Sequence, residues 1–136
     1  MKILKLLFLL IPCLSFGQQG NIKALDINLT NYEYPFPVHF IELSNQRQYL
    51  KMSYMDIIPE NYNQKNIVLL HGKNFNGAYW ETTIKALTKE GYRVIVPDQI
   101  GFGKSTKPDH FQYTFQQLVE NTKRLLDHLG INKTTI

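Results

Sequence analysis

Two short stretches of this 136-residue chain carry residue types that do chemistry. One is His71-Gly72-Lys73-Asn74. The other is Asp98-Gln99-Ile100-Gly101-Phe102-Gly103-Lys104-Ser105. Glycine lets the backbone turn sharply and lets another group approach it closely. Each stretch follows an apolar run, Ile67-Val68-Leu69-Leu70 before the first and Val94-Ile95-Val96-Pro97 before the second. An apolar strand that ends in a glycine loop before a helix is where open α/β sheets hold ligands.

Three kinds of chemistry suggest themselves, and two fail on mechanical grounds. A phosphate cradle needs Gly-x-x-x-x-Gly-Lys-Ser/Thr opening directly into a helix. Gly103-Lys104-Ser105 completes that pattern, but Asp98 stands where its first glycine belongs, and Pro108 follows before any helix. A carboxylate beside a polyphosphate is repelled by it. Ser105 as a nucleophile fails too, because it sits outside a Gly-x-Ser-x-Gly elbow and has no base beside it. What remains is a loop whose backbone faces a ligand. Asp98 and Ser105 are then expected to shape their turn through side-chain hydrogen bonds. A general base must reach a nucleophile, so His71 is assigned to packing and hydrogen bonding beneath its loop. His39, His110 and His128 read as surface or loop residues. No metal or cofactor is suggested.

The elements that must position these loops follow from periodicity. Met1-Lys2-Ile3-Leu4-Lys5, the apolar run Leu6 to Leu14 and the small residues to Gly17 have the layout of a signal peptide over 1–17, cleaved near Gly17. This predicts export, to the periplasm or beyond, and no membrane contact other than the export signal. Cys13 is a poor lipid-attachment site, since Pro12 precedes it. Removing the leader leaves no thiol for a disulfide, a nucleophile or a cysteine-based metal site. The formal charge of +4 includes Lys2 and Lys5, and the other basic residues are scattered. That excludes a nucleic-acid footprint.

Residues 18–37 form an N-terminal extension, tether-like to Asn31 and extended from Tyr32 to Pro37. The domain proper spans 38–136. Val38 to Leu43 and Gln48 to Ile58 alternate in polarity across the turn-like Ser44-Asn45-Gln46, predicting an antiparallel hairpin. The run Ile67 to Leu70 predicts a strand buried on both faces. Ala78 to Glu90 predicts a helix with Trp80, Ile84 and Leu87 on one face, ended by Gly91. Tyr92 to Pro97 is another strand. Thr114 and Gln117 form a capping box for a second helix, whose stripe is Phe115, Leu118, Val119, Thr122, Leu125, Leu126 and Leu129. Gly130 stops it, and Lys133 to Ile136 begins a further strand. The fold class is therefore α/β, an antiparallel hairpin followed by a mostly parallel sheet with flanking helices. The sheet is expected to be incomplete, with open edges beside Ile67, Val94 and Thr134.

His71-Gly72 after an apolar strand, Trp80 at the next helix, and Asp-x-x-Gly-x-Gly-x-Ser from Asp98 to Ser105 together resemble the α/β-hydrolase family, within it the single-domain serine esterases and their peroxidase-like kin. The tract Tyr113-Thr114-Phe115 to Leu129-Gly130-Ile131 is also similar, so the resemblance runs from Val38 to Ile136. It implies that the Lys73 backbone N–H is one donor of an oxyanion hole. His71, Gly72, Asn74, Asp98, Gly101, Gly103 and Ser105 would shape the site around it. It also implies a small-molecule acyl substrate, an ester, amide or related compound, cleaved by a Ser-His-acid mechanism. The elbow should follow the strand that starts at Thr134, and neither it nor the rest of the triad is found up to Ile136. The chain is thus expected to be the N-terminal half of such a hydrolase, inert alone. An aspartate nucleophile, as in dehalogenases and epoxide hydrolases, and a non-catalytic ligand-binding use of the fold both remain open.

Overall fold

The computed structural model describes residues 24–136, so the leader and the first part of the extension lie outside the described residues. Strands β1 (Val38–Asn45) and β2 (Gln48–Ile57) form the expected antiparallel hairpin. Its turn lies at Gln46-Arg47 rather than at Ser44-Asn45-Gln46, and both residues take positive φ, 48° and 61°. That is the two-residue turn whose twist matches paired strands, usually built from Asn and Gly.

Strand β3 (Asn66–Val68) is followed by a 3-10 turn at Gly77–Trp80 and helix α1 (Glu81–Lys89). Strand β4 (Arg93–Pro97) and helix α2 (Phe115–His128) follow. Gly91 at φ +85° and Gly130 at φ +67° follow the two helix ends. At the start of α2 the Thr114 hydroxyl accepts the Gln117 N–H at 3.1 Å. The Gln117 side chain turns to Asn121 instead of back to the cap, so half of the expected capping box forms.

The strand order is β1-β2-β4-β3. The β2–β4 pair is antiparallel, β3–β4 is parallel, and Ile67 bridges in parallel to Thr135. This corrects the expected open edge at Val94, which lies between two strands. It also moves the centre of the sheet. β4 is buried from Val94 to Pro97, whereas Ile67 and Leu69 are half-buried and Leu70 is 38 % exposed. β3 has a full strand on one side and a single bridge on the other, too little to cover both its faces.

Alternation divides the sheet's side chains between two layers. Tyr54, Val68 and Ile95 meet Leu125 of α2, with Ile131 beside them. Met55, Val94 and Val96 meet Ile84 of α1. The α2 stripe seats only in part. Leu125 and Thr122 are buried, but Phe115 is 85 % and Val119 67 % exposed. Among the described residues, nothing lies beneath the first turns of α2 to cover them.

Candidate functional site

The loop after β3 is a tight turn. The Phe75 N–H donates to the Gly72 carbonyl at 3.2 Å, and Asn74 takes φ 67°. Positive φ at the third residue of a four-residue turn is the type II pattern, which favours Gly and tolerates Asn. Such a turn uses the N–H of its fourth residue and leaves that of its second free. The second residue is Lys73, whose N–H makes no hydrogen bond among the described residues.

His71 ties this loop to the one after β4. Its Nε2 accepts the Gln99 N–H at 2.9 Å. Nε2 is therefore the unprotonated nitrogen and Nδ1 carries the hydrogen, 2.9 Å from the Gly72 carbonyl. The ring also packs edge-on against Phe102, with centroids 5.4 Å apart. One imidazole thus holds together the loops at the carboxyl ends of two adjacent parallel strands.

Asp98 organises the other side of the same loop. It is 1 % exposed. Its Oδ1 accepts the Gly77 N–H at 2.6 Å, and its Oδ2 accepts from the Tyr34 hydroxyl at 2.7 Å and from the Ser53 hydroxyl and Lys104 N–H, each at 2.8 Å. None of the four ion pairs among the described residues includes it. A buried carboxylate without a cation persists when donors surround it. Ser105, fully buried, donates to the Asp98 carbonyl at 2.7 Å and accepts the Ser53 N–H at 2.8 Å. Gly103 lies so close that a Cβ there would stand 2.2 Å from the Asp98 carboxyl carbon. Gly101, at φ +96°, has no room for a Cβ either, with the Tyr113 hydroxyl 2.7 Å from where it would sit. Burial, and then the bond to Asp98, push the Tyr34 hydroxyl above the ordinary tyrosine range. Burial lowers the Lys107 ammonium, which donates to the Gly103 and Ser105 carbonyls at 2.6 and 2.9 Å.

Between the two loops and α2 opens a cavity of about 800 Å³, lined by residues that include His71, Lys73, Gln99, Phe102, Tyr113 and Phe115. A smaller hollow of about 360 Å³ continues along α2, past Leu70, Val119 and Ile136. The structure thus brings His71, Gly72, Lys73 and Gly101 to the cavity, and puts Asp98, Gly103 and Ser105 in the frame behind it. Asn74 supplies the turn. His39, His110 and His128 are exposed and line neither space.

Sequence reading missed three participants. Ser53 had a signal, a lone hydroxyl within the otherwise apolar Met52 to Met55. Tyr34 had none, because its role depends on the extension folding back onto the loop, where Lys104 Nζ also reaches the Leu29 carbonyl at 2.7 Å. Gln99 lay inside the motif without being singled out. Its Nε2 donates to Thr122 Oγ1 at 2.9 Å, while its buried Oε1 has no partner among the described residues.

Comparison with known proteins agrees with this geometry. The family model described as alpha/beta hydrolase fold matches residues 65–136. The chain belongs to that family. It is 34 % identical over 118 residues to a haloalkane dehalogenase of Mycolicibacterium paratuberculosis, a match that takes in 85 % of this chain and 38 % of that protein. With a cis-3-alkyl-4-alkyloxetan-2-one decarboxylase of Xanthomonas campestris it shares 40 % identity over 89 residues, 60 % of this chain and 29 % of that one. Among solved structures, a probable hydrolytic enzyme of Pseudomonas aeruginosa superposes with a TM-score of 0.79 at 46 % identity, over 81 % of this chain and 35 % of that one. The chain therefore spans about a third of the length of these relatives.

Proposed function

We propose that residues 38–136 are the oxyanion-binding part of a hydrolase that cleaves a small ester, amide or related acyl compound. The observation that carries this reading is the His71–Gln99 bond. It ties the Lys73 turn, which follows β3, to the loop after the neighbouring parallel strand, and the Lys73 N–H makes no hydrogen bond among the described residues. A fixed, unspent donor beside an apolar cavity suits the negative oxygen of a tetrahedral intermediate. In this proposal the serine nucleophile, its histidine and the orienting acid come from residues after Ile136 in a longer polypeptide, and the leader over 1–17 directs export.

A second reading places an aspartate at the nucleophile. The haloalkane dehalogenases among the relatives favour it. The same donors would then serve an alkyl-enzyme ester during its hydrolysis. The test is to express the 136-residue chain and the polypeptide that continues its reading frame. Turnover of p-nitrophenyl acetate by the longer protein alone, lost when the serine of a Gly-x-Ser-x-Gly elbow becomes alanine, supports the first reading. Halide release from 1-bromobutane supports the second. Ester turnover by the 136 residues above a heat-denatured control refutes both.

A further inference from the structure

We propose that the Lys73 ammonium makes this site selective for acyl compounds that carry a carboxylate in addition to the reacting group. The inference rests on the cavity's being the substrate site. Lys73 is the one Lys, Arg, Asp or Glu among the residues lining the larger cavity. Its ammonium makes no ion pair or hydrogen bond among the described residues. Other lysines nearby are engaged: Lys104 donates to the Leu29 carbonyl, Lys107 to the Gly103 and Ser105 carbonyls, and Lys123 pairs with Asp127. Asp98, an acid of the loop after β4, is buried with both oxygens already accepting.

His71 has both ring nitrogens occupied, and Gln99 Nε2 spends one of its two N–H groups on Thr122. Phe102, Phe115 and Leu118 supply an apolar wall, with the Tyr113 ring and its hydroxyl beside them. The first turn of α2 adds no acid. A largely apolar wall with one cation that is unpaired among the described residues suits a short hydrocarbon chain that ends in a carboxylate. Lys73 is exposed, so the attraction between the two charges is weakened by added salt.

The 136-residue chain is titrated by amide chemical shifts with monomethyl glutarate, an anion, and with dimethyl glutarate, its neutral counterpart. The anion is expected to bind about fivefold or more tightly than the diester, a preference that shrinks as salt is raised. Lys73→Gln keeps the backbone N–H and is expected to abolish the preference. Lys73→Arg, which restores the charge, keeps the preference. Equal weakening of both probes by Lys73→Gln, an absent preference, or no saturable binding of either probe overturns the proposal. Because the titration reads binding alone, a failed turnover assay on the longer polypeptide would refute catalysis and leave this measurement standing.

Discussion

Asp98 and Gln99 are neighbours in sequence, polar, and 1 % and 7 % exposed, yet the structure treats them oppositely. Four donors converge on the Asp98 carboxylate. The Gln99 side-chain oxygen receives none. Asp98 faces the hairpin, the extension and the start of the 3-10 turn, each of which sends it a donor. Gln99 faces α2 and the open cavity, where apolar side chains stay exposed and a buried oxygen stays unpaired. The difference separates a frame from the surface it supports. The frame fixes the glycine loop, and the cavity side is left unfilled.

The largest expected effects break the frame. Asp98→Asn puts an amide N–H₂ where a carboxylate accepts four hydrogen bonds, two of them from backbone N–H groups that can only donate, and should lower urea stability by about 3 kcal/mol. Gly103→Ala forces a Cβ into the Asp98 carboxylate at an unfavourable φ and should cost about as much. If either variant unfolds at the wild-type midpoint, the frame is not what holds the loop.

A smaller effect sharpens the extension's part in it. Tyr34→Phe removes one charge-assisted bond and should cost about 2 kcal/mol at neutral pH. Its pH dependence has a definite sign. The folded hydroxyl holds its proton above the ordinary value of 10.0. The unfolded tyrosine ionises first, so stability is present below about pH 10 and falls as pH rises past it. The Phe variant should show a shallower alkaline decline in urea titrations from pH 9 to about pH 11. Identical slopes would detach Tyr34 from the Asp98 network.

The smallest effects belong to the cavity side. Gln99→Met removes an unpaired oxygen together with the bond to Thr122, whose hydroxyl still donates to the Leu118 carbonyl, and the two losses should nearly offset, changing stability by less than about 1 kcal/mol. Phe115→Ser with Val119→Ser should leave the urea midpoint nearly unmoved while reducing self-association in sedimentation, because both side chains are already in solvent. A large loss from Gln99→Met would mean that the two neighbours do the same work.

Much of this was legible in the residues. Alternation marked β1 and β2, an apolar run marked β4, and Thr114, Gly91 and Gly130 marked helix ends, because such signals act within a few residues of themselves. The paired motifs His71-Gly72 and Asp98 to Ser105 placed the chain in its family. The apolar run at Ile67 to Leu70 misled, because a run of that kind states that a strand prefers burial and not whether neighbours exist to provide it. The α2 stripe misled at Phe115 and Val119 for the same reason.

By itself the sequence determined which segments extend, which coil and where glycine must turn the chain, since backbone sterics and side-chain periodicity are local. Only the tertiary structure decided that β4 lies between β2 and β3, that Tyr34 and Ser53 close on Asp98, and that His71 clasps Gln99. Those contacts join residues 28 to 64 positions apart. At such separations no local preference chooses the partner, and the choice falls to whichever packing buries the apolar strands while leaving the fewest polar groups alone.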